Sequence, residues 1–230
     1  QSTALPPRTP GFWSHKWLCR HVDMLLLMPR YLERAENAAR RIQSAFLHSL
    51  SPGRDGDEEW AAFLHSTGKA VAFAKRHESV SMAHVIDYLL RDKANEDSII
   101  SLLANARQNA RSIRTALTQE VWQSLNESWI ILNTALKRPV NIRELPSILE
   151  NIIKGSSVFR GALYGTMLHN DIFNFLRLGT FIERADNTAG SSVTDITGFC
   201  RPRLALLAVL IRANGRSYYA HLRPGDLIIG

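Results

Sequence analysis

From Val22 onward, apolar residues recur every three or four positions, at Leu25, Met28, Leu32, Ala35, Ala39, Ile42 and Phe46. That spacing lays them along one face of a 3.6-residue helix and predicts a long amphipathic helix. Pro29 falls inside it and predicts either a kink or the true helix start near that position. The break at Ser51-Pro52-Gly53-Arg54-Asp55-Gly56-Asp57 ends this element. A second helix is expected from Glu58 to about Lys75 with Asp57 as N-cap, and a shorter one over Met82–Leu90 behind Ser81.

Asp92–Asp97 reads as a polar loop. The apolar rhythm resumes at Ile99, Leu103, Ala106, Ala110, Ile113 and Leu117, then over about Gln119–Lys137 on the stripe Trp122, Leu125, Trp129, Leu132 and Leu136, which Pro139 closes. A sixth helix covers roughly Arg143–Met167. A seventh follows Asn170 as cap, with Phe175, Leu178, Ile182, Ala185 and Ala189 facing inward. Between Val22 and Ala189 no β alternation occurs. The expected fold is all-α, an antiparallel bundle of about six or seven helices.

The two ends differ from this body. Residues 1–21 contain Pro6, Pro7 and Pro10, the first twenty carry no acid, and they read as a flexible arm. Residues 22–190 form the helical domain. Residues 191–230 contain neither Lys nor Glu and lose the three-four rhythm, an atypical tail of the kind that out-of-frame or replaced sequence produces.

Composition narrows the class. A chain of 230 residues fits one large domain, two at most, and 45 % hydrophobic with 21 % charged residues is the balance of a soluble globular protein. The longest strictly apolar run, Leu204–Ile211, falls well short of the ~18 residues that span a bilayer, so no membrane segment is expected. No export signal opens the chain, and Cys19 and Cys200 are isolated, so the expected setting is a reducing cytoplasm without a disulfide framework or thiolate zinc site. The net charge of +7 points to anionic partners.

One word of the sequence occurs twice. Tyr31-Leu32-Glu33-Arg34-Ala35-Glu36-Asn37-Ala38-Ala39 is matched by Phe181-Ile182-Glu183-Arg184-Ala185-Asp186-Asn187-Thr188-Ala189. On a helical wheel Leu32 and Ala35 face the core, Glu36 flanks them, Glu33 and Arg40 lie further round with Asn37 beyond, and Arg34 projects to the opposite flank. The second copy repeats this with Ile182, Ala185, Asp186, Glu183, Asn187 and Arg184, but Gly190 replaces the counterpart of Arg40. The small residues Ala35, Ala39, Ala185 and Ala189 would admit a neighbouring helix closely.

Three roles suit these groups. They can pair with one another between two helices that meet, with Glu36 and Arg40 already in favourable i,i+4 order. Glu33, Glu36, Glu183 and Asp186 can instead form a four-carboxylate site for Mg²⁺ or Mn²⁺ and serve a metal-dependent enzyme, although the His of Glu-x-x-His di-metal bundles is missing. Or Arg34 and Arg184 can recognise a carboxylate or phosphate in a partner-binding groove. On the first and third readings no cofactor is expected.

Other features weigh less. Arg107, Arg111 and Arg114 make a basic stripe that solvation explains better than nucleic-acid binding, the weakest alternative. Trp122 and Trp129 read as core. The histidines are scattered, Gly161 and Gly165 read as packing or bending points, and no Walker A, dinucleotide or nucleophile-elbow motif is present.

Arg30-Tyr31-Leu32-Glu33-Arg34-Ala35-Glu36-Asn37, followed distantly by Phe175-Leu176-Arg177-Leu178-Gly179-Thr180-Phe181-Ile182-Glu183-Arg184-Ala185-Asp186-Asn187, resembles the bacterial alpha-E domain over about Val22–Ala189. The resemblance implies an all-helical protein of unknown activity and marks Glu33, Arg34, Glu36, Asn37, Glu183, Arg184, Asp186 and Asn187. It further implies association with ATP-grasp and transglutaminase-like proteins. On that basis the expected role is a non-catalytic scaffold or binding partner in peptide or amide-bond metabolism.

Overall fold

The computed structural model describes residues 15–50 and 56–192, with side chains over 21–50 and 56–188. Among them the chain forms eight α-helices and no strand: α1 (His15–Ser49), α2 (Gly56–Ser66), α3 (Ala70–Ala74), α4 (Met82–Leu90), α5 (Ile99–Ser112), α6 (Gln119–Ala135), α7 (Leu145–Thr166) and α8 (Asp171–Ser192), with one 3-10 turn at Arg114–Ala116. The all-α bundle expected from the periodicity is the fold. Of the expected arm 1–21, residues 15–21 form the first turns of α1, and of the expected tail 191–230, residues 191 and 192 close α8; the rest of both lies outside the described residues.

α1 is the central element and packs against α2, α5, α7 and α8. Its stripe Leu25, Met28, Leu32, Ala35, Ala39 and Ile42 is buried throughout, as the spacing predicts. Pro29 neither starts nor ends the helix, which runs continuously from His15 to Ser49. The backbone hydrogen bond that proline forfeits is outweighed by the apolar burial on either side of it.

α8 closes on α1 at the same level. A Cβ on Gly179 would sit 2.2 Å from the Leu26 carbonyl oxygen and 2.8 Å from Pro29 Cγ, so only glycine lets the two backbones approach this far. Gly155 does the same between α7 and α6, where a Cβ would meet Ser128 Oγ at 2.6 Å. Gly161 and Gly165, read from sequence as packing points, face open space instead.

The expected second helix is divided. Gly68 adopts φ +68°, its N–H donates to the His65 carbonyl (3.0 Å) and Lys69 N–H to that of Leu64 (2.8 Å), a Schellman stop after Ser66. Asp57 lies in the first turn of α2, and its carboxylate accepts from Met82 N–H (3.1 Å) at the start of α4 rather than serving as the N-cap. Ser81 and Asn170 cap α4 and α8 as expected, accepting from His84 N–H (3.3 Å) and Phe173 N–H (3.3 Å).

α5, α6 and α7 alternate in direction: Arg107 reaches Asn126, Thr118 meets Thr166, and Gly155 abuts Ser128. α1 and α8 run parallel, since Leu26 lies beside Gly179, Arg30 beside Glu183 and Arg41 beside Asn187. The expected antiparallel arrangement holds for α5, α6 and α7 but not for α1 and α8, because periodicity specifies the buried face of each helix and leaves the mutual direction of helices remote in sequence undetermined.

The paired motif as candidate functional site

The parallel register brings the two copies of the repeated word side by side. Arg34 donates from Nε to Glu183 Oε1 (2.7 Å) and from Nη2 to Oε2 (3.2 Å). Arg184 returns the same fork, from Nε to Glu33 Oε2 (2.9 Å) and from Nη2 to Oε1 (3.2 Å). Each Glu-Arg pair thus serves the other helix, the pattern a local twofold between parallel helices creates, with two bidentate charge-assisted contacts. Glu33 and Arg34 straddle α8. The sequence places them on different flanks of α1, and both flanks prove to border the same neighbour.

Each of the two central carboxylates takes a second guanidinium. Arg160 of α7 donates from Nη1 to Glu33 Oε1 (3.0 Å), and Arg30 of α1 donates from Nε to Glu183 Oε2 (3.0 Å). From these centres two branches extend. On one side Arg160 also holds Glu36, which accepts from Arg40 Nη2 as well (2.8 Å). On the other Arg30 reaches Asp186 (3.2 Å), and Arg34 lies 3.6 Å from Asp97, itself bound by Lys69 (2.8 Å). Asn187 accepts from Arg41, while Asn37 is half-buried and takes no part in either branch.

Burial sharpens these interactions. The side chains of Glu33, Glu36 and Glu183 are each 7 % exposed, so the ion pairs sit in a medium that screens them far less than water does. Burial pushes the Glu36 carboxyl up, but hydrogen bonds from Arg160 and Arg40 and their charges reverse this and hold it below its ordinary value. The Asp97 carboxyl is likewise lowered, burial being outweighed by Lys69 and Arg34. Arg34 is raised, chiefly by its hydrogen bond to Glu183. Arg160 is raised because Glu36 and Glu33 overcome its own burial.

The four acids read as an alternative Mg²⁺ or Mn²⁺ site do not form one. Among the described residues no three His, Cys, Asp or Glu side chains gather as a metal site would need. The reason is local: guanidiniums stand between Glu33, Glu36, Glu183 and Asp186 and occupy the oxygens a cation would use. Arg107 and Arg114 of the basic stripe lie over the Trp122 ring, 5.9 and 4.8 Å from its centre, which makes them packing partners of that partly buried tryptophan.

Sequence reasoning missed Arg160, Arg30, Asp97 and Lys69. Arg30 carries a signal, since it precedes Arg34 by one turn on the same flank. Arg160 carries a fainter one, four residues beyond buried Ser156. Asp97 and Lys69 sit in connections whose path the sequence does not encode.

No curated protein and no solved structure matches this chain. A family model does, over residues 18–223, a span that includes both Glu-Arg pairs and runs beyond residue 190. That family, Alpha-E, is described as a predicted alpha-helical domain with a conserved ER motif. With the match covering nearly the whole sequence, and the Glu-Arg words found interlocked on two helices, the chain belongs to the Alpha-E family.

Proposed function

We propose that the chain is a non-catalytic helical scaffold, the binding partner of an ATP-grasp-type or transglutaminase-like protein in peptide or amide-bond metabolism. The observation that carries this reading is the reciprocal Glu33–Arg184 and Glu183–Arg34 fork. It engages the central acids and bases of the motif with each other and leaves no carboxylate there poised as general base or nucleophile. A motif of this kind fixes two helices in register and thereby shapes the surface around them.

Around the fork the outer rim of Arg40, Arg41, Arg184 and Asp186 is exposed and bears both signs of charge, a surface suited to a polar protein or peptide contact. The same reading sets the protein in the bacterial cytoplasm, in keeping with its isolated cysteines. No helix among the described residues is long and apolar enough to cross a membrane.

Capture of purified ATP-grasp-type and transglutaminase-like proteins on the immobilised chain tests the proposal. Binding of either, weakened by Arg34→Ala and Arg184→Ala in variants whose circular dichroism remains helical, is the expected result. Failure of the wild-type chain to retain either class overturns it.

A further inference from the structure

Around the paired motif Arg30, Arg34, Arg40, Arg160 and Arg184 are each answered by a carboxylate and Arg41 by the Asn187 amide oxygen, whereas Arg177 has neither among the described residues. Arg177 lies on α8, seven residues before Arg184, and its guanidinium carbon is 5.5 Å from the ring centres of Phe173 and Phe181 and 5.7 Å from that of Tyr164. Its Nε is buried and has no hydrogen-bond partner, and among the described residues no carboxylate pairs with it.

Aromatic faces attract a cation through their quadrupole but are poor acceptors for its N–H groups. A buried donor left unmatched is costly, and a native fold that keeps one calls for an explanation. A carboxylate taking the Nε–Nη2 edge, as Glu183 does on Arg34, would supply the acceptor this donor lacks. That edge presents parallel N–H groups at the spacing of a carboxylate's two oxygens. The walls are hydrocarbon: Phe173 is buried, Phe181 partly so, and Tyr164 is 44 % exposed and forms the open side. His169 stacks on Phe173 at 4.1 Å and backs the cage from the α7–α8 connection.

We propose that Arg177, with Tyr164, Phe173 and Phe181, is a receptor for a carboxylate carried on an apolar body, the chemistry of a peptide's C-terminal residue. The guanidinium supplies the charge-assisted fork, and the rings cover the adjacent side chain. The charge unmatched in the free protein is neutralised on binding. A bare, strongly hydrated anion gains the fork but nothing from the rings. This inference stands apart from the scaffold reading, because it concerns a different arginine and a small ligand.

The test uses the full chain labelled with ¹⁵N, following the Nε–H resonance of Arg177. The probes are N-acetylphenylalanine, its amide and inorganic phosphate. The acid is expected to shift this resonance in a saturable way, the amide to leave it unmoved, and phosphate to bind more weakly than the acid. By calorimetric titration, which does not depend on the Arg177 resonance, Arg177→Gln should weaken acid binding about ten-fold or more, and Tyr164→Ala should weaken it while leaving the helical fold. Arg143→Gln, an exposed arginine elsewhere, should leave it unchanged. An equal response to acid and amide, phosphate binding as tightly as the acid, or undiminished acid binding by Arg177→Gln overturns the proposal. The wild-type acid-against-amide comparison decides it even if a variant fails to fold.

Discussion

Glu36 and Asp186 occupy the same place in the two copies of the repeated word, yet the side chain of one is 7 % exposed and that of the other 41 %. The central residues do not diverge: Glu33 and Glu183 are equally buried and each receives the opposite arginine. The asymmetry arises outside the word. Glu36 lies against α7, which contributes Arg160, and is followed by Arg40 on its own helix. Among the described residues Asp186 has Arg30 alone, and Gly190 stands where Arg40 would be repeated. Glu183 takes its second guanidinium from Arg30, but the matching position on α8 is buried Thr180, whose hydroxyl donates to the Leu176 carbonyl (3.3 Å). Glu33 therefore depends on a third helix. Two copies of one local motif can thus share a symmetric centre while their surroundings assign them different depths.

The centre is where disruption should cost most. Glu33→Gln and Glu183→Gln each leave two guanidiniums, partly open to water, without the charge of a buried carboxylate, and each is expected to lower unfolding free energy by about 2–3 kcal/mol in urea titration. Similar losses for both would support the symmetric centre, and a near-neutral result for either would break it. Reversing one fork, Glu33→Arg with Arg184→Glu, should recover part of the loss seen in each single variant, a coupling that a double-mutant cycle measures.

The closeness of the parallel helices can be tested next. Gly179→Ala places a methyl against the Leu26 backbone and should destabilise by about 1–3 kcal/mol. Gly161→Ala meets nothing and should stabilise α7 by about 0.4–1 kcal/mol. Opposite signs in thermal unfolding are the expected result.

The outer positions should separate the two copies directly. Glu36→Gln removes hydrogen bonds to two guanidiniums in a buried place and should cost about 1.5–3 kcal/mol. Asp186→Asn, half open to water, should cost about 0–1 kcal/mol. If Asp186→Asn proved the costlier change, the burial argument would be wrong.

The smallest effect is a matter of pH. Glu36 and Asp97 titrate below their ordinary values in the folded chain, so the unfolded chain takes up their protons first as acid is added. Their contribution is complete above about pH 4–5, the ordinary carboxylate range, and is lost as pH falls through the lowered folded values. Glu36→Gln should accordingly show a shallower decline in stability below that range than the wild-type chain does.

Much of the fold was legible because burial of one helical face imposes a spacing that needs no knowledge of the neighbours. Leu25 to Ile42, Ile99 to Ala110, and Leu125 and Leu132 are placed inward by that rule and are buried, while Trp122 and Trp129 on the last stripe are only partly so. Boundaries were harder. Gly68 stops a helix through a left-handed turn whose sequence signal is one glycine, and Pro29 failed to stop one because flanking burial prevailed. At the site the repeated word exposed Glu33, Arg34, Glu183 and Arg184, but not which charge meets which. That depended on a parallel register between segments about 150 positions apart, and on Arg160, a residue outside either word.

The parallel docking of α8 on α1 also bears on how the chain is made. α1 leaves the ribosome early, with Glu33, Glu36 and a full apolar stripe, while the guanidinium of Arg184 is still unsynthesised. At roughly 5–20 residues per second, the intervening stretch takes on the order of ten to thirty seconds to emerge. During that interval the first helix has α2, α5 and α7 to collapse against, but its acids lack part of their cationic complement. Final consolidation of this helical protein must wait for a contact about 150 residues apart in sequence, far more remote than its hairpins and a slow closing step.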